Sequence, residues 1–298
     1  MSIVKLALYL LAAAFLPDAL QAQPLRMVSE FRRVGANNQI IRADAVGDPR
    51  EIISPAVLRG MHVSYRIVVA TPPGMHYWMY VGANPEDVID YAIYRERATG
   101  GVPNALDKMD VPVSGTVNAP RVADTYWVDL HIPPTTPARR IRFEAQLNFD
   151  NRWVIYPLEV RVMEGDLVAA DPADATLTVP AGATSTAAAA RAAYQRVLCP
   201  APTQRPQRAP TAIASASTLP SQAAFLLRNA QQDLALVRSA EARRGHDAVT
   251  KGLIEILTGD PKATDARAFC VPSAKPYDPE IALRARDFLV RNSTPPNE

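Results

Sequence analysis

The run RIRFEAQLNFDNRWVIYPLEVRV, Arg140 to Val162, decides the first half of the fold. Ile141, Phe143, Ala145 and Leu147 alternate with Arg140, Arg142, Glu144 and Gln146. That is the period-two pattern of a strand with one buried and one wet face. Asp150-Asn151 follows, two residue types that tolerate positive φ in a two-residue hairpin turn. With that turn, Phe149 pairs with Arg152, Leu147 with Val154, Ala145 with Tyr156, Phe143 with Leu158 and Ile141 with Val160. Both apolar sets then land on one side of the sheet, and a one-residue slip would separate them. Trp153 and Ile155 fall on the other side. An apolar pair there marks a candidate contact surface, for a partner or for the chain's own second half.

Strands extend outward from this hairpin over residues 26–165. Met61 to Ala70 and Met75 to Val81 flank Thr71-Pro72-Pro73-Gly74 and read as a second hairpin, with Val63, Tyr65, Ile67 and Val69 beside His76, Trp78 and Tyr80. Tyr126, Val128, Leu130 and Ile132 alternate with Trp127, Asp129 and His131 in a further strand, which leaves His131 at the surface. Segment 84–97 reads as one turn and then a strand. Seven or eight strands with Pro, Gly and Asn turns predict an antiparallel β-sandwich. The run Trp127-Val-Asp-Leu-His-Ile-Pro-Pro, with Arg142-Phe143 after it, resembles the late strands of immunoglobulin-like accessory domains.

Near Thr184 the period changes from two to 3.6. Ser185 caps an Ala-rich helix running to Leu198, and residues 200–220 hold five prolines in an Ala, Ser, Thr and Gln background, the composition of a linker. Helices follow over Ser221 to Arg244 (stripe Leu227, Ala230, Leu234, Val237), Asp247 to Thr258 (Val249, Leu253, Ile256), and from Asp278-Pro279-Glu280 onward (Ile281, Ala285, Phe288, Leu289). The predicted fold is therefore α+β in separate domains, an immunoglobulin-like antiparallel β-sandwich followed by a small α-helical domain. Its divisions are 1–22 signal peptide, 23–183 sandwich, 184–220 Ala-rich helix and Pro-rich linker, and 221–298 helical domain. Phe269-Cys270-Val271-Pro272, between a helix containing Gly252 and one ending Phe288-Leu289-Val290, resembles the helical immunity proteins of the Rap/Tai type. That resemblance, over residues 221–292, implies a periplasmic inhibitor of a peptidoglycan amidase effector.

Lys5, the apolar run Leu6 to Leu16, and Leu20-Gln21-Ala22 form the n-region, h-region and cleavage site of a secretory signal peptide. The run is shorter than the roughly 20 apolar residues of a membrane span. No cysteine follows it to carry a lipid anchor. The expectation is a periplasmic or secreted protein without a transmembrane anchor. Residues 23–183 carry 16 Lys+Arg and 19 Asp+Glu, net −3, while residues 184–298 carry 15 and 10, net +5. Neither half has the basic density of a nucleic-acid binder. Two cysteines, Cys199 and Cys270, in an exported chain favour a disulfide, the alternatives being a free buried pair or part of a metal site.

No nucleophile elbow, His-Glu-x-x-His or phosphate-cradling glycine loop occurs, so no catalytic residue and no cofactor is assigned. Met61, His62, Met75, His76 and Met79 have the residue types of a copper site, since monovalent copper favours thioether sulfur, but the alternation puts His62 and His76 on different faces. The functional expectation is an exported, non-catalytic binding or assembly protein of the bacterial cell envelope, its partner an unknown protein or an envelope ligand. The alternatives are immunity-like inhibition, a secreted hydrolase with an unrecognised site, and periplasmic copper binding.

Overall fold

The computed structural model describes residues 23–33, 35, 54–83, 90–99, 102–168, 177, 186–199, 222–270 and 278–295. The expected signal segment and the proline-rich linker lie outside these residues.

Ten strands form two five-stranded sheets. The first has the order β1 (Leu25–Ser29), β3 (His62–Val69), β8 (Asp124–His131), β5 (Asp90–Thr99), β6 (Val102–Met109). The second runs β2 (Ala56–Arg59), β10 (Arg152–Asp166), β9 (Arg140–Phe149), β4 (His76–Ala83), β7 (Val113–Thr116). All pairings are antiparallel except β2 with β10. The β9–β10 hairpin has the register read from the sequence, Phe149 opposite Arg152 through Ile141 opposite Val160. Asp150 and Asn151 take φ of 49° and 55°, the left-handed pair that a tight hairpin turn requires.

The inward sets of the two sheets, among them Tyr65, Ile67, Val128 and Leu130 of the first and Met79, Phe143, Leu147 and Leu158 of the second, share one buried core. The expected hairpin joining β3 to β4 does not form. β3 pairs with β1 and β8, β4 with β7 and β9, and the Pro72-Pro73-Gly74 segment carries the chain from one sheet to the other. The change of sheet reverses the faces of β4. Tyr77, Met79 and Val81 point into the core, while His76, Trp78 and Tyr80 form the opposite set.

The helices are α1 (Thr186–Leu198), α2 (Gln222–Arg244), α3 (His246–Thr258), α4 (Arg267–Cys270) and α5 (Pro279–Ser293). Their boundaries follow the local chemistry: Asp278 caps α5 by accepting from the Glu280 N–H at 2.9 Å with Pro279 at the first position, and Gly259 closes α3 at φ 69°. A disulfide joins Cys199, just after α1, to Cys270 of α4 across 71 residues. The chain is thus α+β. Of the two occupants the sequence allowed for the Trp153 side, a partner or the chain's own second half, the helices lie elsewhere and Trp153 stays 57% exposed. α2 crosses the outer side of the first sheet, where Phe225 stacks on Trp127 at 4.8 Å, and α5 packs against β2 and β10. Phe225 is buried in that contact region, and Leu226 is buried with Ala189 and Ala193 between α1 and α2. Alternation is lost on β8 for the same reason: Trp127 and Asp129 lie under α2, so both faces of the strand are buried.

Polar groups carry much of this docking. Arg228 of α2 grips Asp129, which also accepts from Ser64 at 2.8 Å. The Gln232 amide pairs with the backbone of His62, donating to its carbonyl at 2.8 Å and accepting from its N–H at 2.7 Å. Arg286 of α5 bonds Asp233 through Nε and Nη2 and reaches Glu30, just beyond β1, with Nη1, while Asn229 donates to the other Glu30 oxygen at 2.8 Å.

Candidate binding surface

The helices leave β7, β4, β9 and the first half of β10 free on the outer side of the second sheet, while farther along β10 Arg161 lies 3.6 Å from Asp287 of α5. Tyr77, Met79 and Val81 of β4, the odd residues Ile141 to Phe149 of β9, and Tyr156, Leu158, Val160 and Val162 of β10 fill the core, so the intervening residues share the outer side. Cross-strand register then fixes two adjacent rows. One runs Ser114, Trp78, Asn148, Trp153 across β7, β4, β9 and β10. The other runs Tyr80, Gln146, Ile155. Trp78 is 44% exposed, Trp153 57% and Ile155 55%, whereas Trp127 under α2 is fully buried.

The rings are grouped. Tyr80 and Trp153 have centroids 6.0 Å apart, and His76 lies 5.0 Å from Trp78. These are ordinary distances for offset or tilted aromatic pairs. The β9 residues between the rings are amides, half-buried at Asn148 and Gln146, with Gln146 Nε2 donating to Glu144 at 3.3 Å. Among the charges at the margin, Arg152 pairs with Asp150 and Arg140 with Glu159, each at 3.6 Å, and Arg142 stands opposite Glu159 in register.

Sequence reasoning placed Trp153 and Ile155 on this side and missed Trp78 and Tyr80. On β4 both alternating sets, Tyr77-Met79-Val81 and His76-Trp78-Tyr80, are apolar or aromatic, so period two alone cannot say which is inside. His76 is the one polar signal for the outer set. The copper candidates are not brought together: Met61 and Met79 are fully buried, with the Met61 sulfur accepting from the Leu58 N–H at 3.1 Å. His76 belongs to the outer side of the second sheet, and His62 meets Asp129 at 3.2 Å on the outer side of the first. Among the described residues no group of three or more His, Cys, Asp or Glu side chains is placed to hold a metal ion. His131 stacks at 4.8 Å on His62 at the rim of the α2 contact.

Two buried polar clusters lie apart from this surface. Tyr77 donates to Asp124 at 2.7 Å and meets Tyr126 at 2.5 Å, with Arg95 and Arg121 on the same carboxylate. Burial, with Tyr126 and Asp124 beside it, pushes the Tyr77 hydroxyl well above its ordinary range, so it stays protonated and donates. In the second cluster burial pushes the Glu30 carboxyl up against the opposing charge of Arg286. Asp129 goes the other way: burial works to raise it, but hydrogen bonds from His62 and Arg228 and the charge of Arg228 hold it at about 2. The contacts of the first cluster join strand to strand, and those of the second join α5 to α2 and both helices to the segment after β1, which is the work of a scaffold.

No family model and no curated protein matches the chain. Among solved structures it is similar to a family 123 glycoside hydrolase from Clostridium perfringens at 9% identity and a TM-score of 0.36, over 48% of this chain and 28% of that one. It is similar to the C. elegans MSP family member WR4 at 10% identity and a TM-score of 0.23, over 37% of this chain and 91% of that one. A class 5 fimbrial chaperone, CfaA, matches at 10% identity and a TM-score of 0.19, over 41% and 60%. Likenesses at these TM-scores carry no argument about fold family or activity.

Proposed function

We propose that this chain is an exported, non-catalytic binding protein of the bacterial cell envelope. In this reading an immunoglobulin-like β-sandwich, braced by the helices, presents the outer side of its second sheet to a ligand. One observation carries it: Trp78, Trp153 and Ile155 are about half exposed on a sheet whose other side is a filled core. Apolar side chains of this size held at a folded surface mark contact sites. The export expected from the first 22 residues, the Cys199–Cys270 disulfide and the absence, among the described residues, of a helix long and apolar enough to cross a membrane support the setting.

The test is retention of the purified protein on isolated envelope preparations, sacculi and outer membrane separately, compared with Trp78→Ala, Trp153→Ala and the double variant. The wild type is expected to be retained and the double variant to wash through with its melting temperature unchanged. Equal retention of all four proteins overturns the assignment of the surface. Turnover of an ester, glycoside or peptide, abolished by a single Asp, Glu or His change, would replace binding by catalysis.

A further inference from the structure

We infer that the ligand of this surface is a neutral polysaccharide chain, an inference that rests on the outer side of the second sheet being the binding surface. The chemistry of the two rows singles out this partner. A pyranose ring presents C–H groups on its faces and hydroxyls around its edge. It therefore needs flat aromatic surfaces interleaved with uncharged hydrogen-bonding groups in nearly the same plane. Trp78, Tyr80 and Trp153 supply the first, and Asn148, Gln146 and Ser114 supply the second from the same rows of the sheet. Asn148 stands between Trp78 and Trp153 in register, so a sugar resting on either ring has an amide at its edge.

Charge and area argue against the other occupants. The two rows bear no formal charge; of the charges bordering them, Glu144 accepts from Gln146, Arg140 lies 3.6 Å from Glu159 with Arg142 opposite that Glu in register, and Arg152 lies 3.6 Å from Asp150. A polyanion has no free cationic cluster to meet there, as phosphate recognition requires. An apolar protein patch or an acyl surface would cover the Asn148 and Gln146 amides without pairing them, at the cost of buried unsatisfied polar groups. Trp78, Trp153 and Ile155 at about half exposure, with the more buried Tyr80, offer on the order of 400 Å², against roughly 800 Å² per partner in a stable protein–protein interface. A second copy of this chain is therefore poorly served.

The span sets the ligand's length. Trp78 and Trp153 lie on strands separated by β9, so their backbones are about 10 Å apart at ordinary strand spacing. That exceeds one pyranose ring. Both tryptophans can be occupied together only by consecutive sugars of a chain.

The experiment uses the full chain and a panel of neutral tetrasaccharides, cello-, malto-, xylo- and chitotetraose, read by tryptophan emission and titration calorimetry. Mono- and disaccharides serve as length controls. At least one tetrasaccharide is expected to bind, more tightly than its monosaccharide, with a change in emission. Trp78→Ala and Trp153→Ala are each expected to weaken it about tenfold, and Asn148→Ala by less. Binding that both tryptophan variants retain overturns the inference. So does silence across the panel while the tryptophan variants still lose retention on envelope preparations. That last outcome rejects the ligand class and leaves the surface standing. Equal retention of wild type and variants rejects the surface itself.

Discussion

Arg228 of α2 meets Asp129 of β8 through both terminal guanidinium nitrogens, at 2.7 and 2.8 Å, over the face of Phe225. This is a bidentate, charge-assisted contact on a nearly buried carboxylate, and it joins a helix to the middle of a sheet. Asp129 is held at about 2, below the roughly 3.9 of an unfolded chain. Its stabilising contribution is therefore present above the unfolded value and is lost as pH falls from about 4 through 2. The deficit of Asp129→Asn, measured by urea unfolding, is expected to be largest near neutrality and to shrink by on the order of 2 kcal/mol toward pH 2. A pH-independent deficit would mean that the carboxylate is not held down by these contacts.

The tryptophans divide by position. Trp127 is fully buried between the Arg66 guanidinium, 4.1 Å from its centroid, and Phe225. Trp127→Ala is expected to cost about 3–5 kcal/mol. Trp153→Ala removes a side chain that is 57% exposed and is expected to change stability by less than about 0.5 kcal/mol. Denaturant titration of the two variants checks the contrast. A large loss from Trp153→Ala would show that the outer side of the second sheet holds up the fold rather than binding.

What the sequence disclosed and what it hid have separate physical origins. The β9–β10 register was legible because turn chemistry and alternation specify it independently. The start of α5 at Asp278 and the end of α3 at Thr258 were legible because their signals are local. The partner of β3 was not, since a Pro-Pro-Gly connection fits either a hairpin or a passage between sheets, and the choice rests on contacts far away in the chain. The buried stripe of α5 was read from Ile281 and Phe288, which are half-buried, while Arg286 is buried. A charged side chain looks like surface until its two carboxylate partners, Glu30 and Asp233, are known. Half of the candidate surface, Trp153 and Ile155, followed from the hairpin. The other half waited on knowing which way β4 faces.

Gly252 of α3 is where α5 comes closest. A Cβ built there would stand 2.3 Å from Phe288 Cζ, far inside contact distance. Phe288 is a stiff ring packed against the core, so it cannot yield by bending its tip. Gly252→Ala is expected to cost about 1–3 kcal/mol despite alanine's better helix propensity. Adding Phe288→Leu should recover part of that loss. A double-mutant cycle measures it, and strict additivity would show that the two residues do not meet.

The Cys199–Cys270 bond closes a long loop, a constraint worth about 4 kcal/mol in the chain-entropy account. Non-reducing peptide mapping of protein purified from an oxidising compartment should recover the two cysteines in one linked fragment. Cys199→Ser is expected to lower stability by roughly 2–4 kcal/mol. Reductant should destabilise the wild type by a similar amount and leave the variant unchanged. Two free thiols in protein from that compartment would reject the linkage.

Arg286 is the strongest test of how firmly the helices are joined to the sheets. It is buried, lies over Phe31 at 4.5 Å, and carries a positive charge bonded to both Glu30 and Asp233. Replacing it by Met keeps much of the volume and leaves two buried carboxyls facing each other. Breaking a buried pair in this way typically costs about 3–5 kcal/mol, because the remaining charges are uncompensated. Burial already raises the Glu30 carboxyl and the Arg286 charge opposes that rise, so without the guanidinium Glu30 moves higher and the Arg286→Met deficit should shrink as pH falls and Glu30 is neutralised. Replacing Glu30 by Gln and Asp233 by Asn in the same protein should recover much of the loss at neutral pH, since no buried charge is then stranded. Far-ultraviolet circular dichroism follows the helices and tryptophan emission follows the sheets. The two signals should lose structure together in wild type and variant alike if these contacts make one cooperative unit. A helical transition that precedes the tryptophan signal in the wild type would show that the polar contacts dock the helices without coupling their unfolding to that of the sheets.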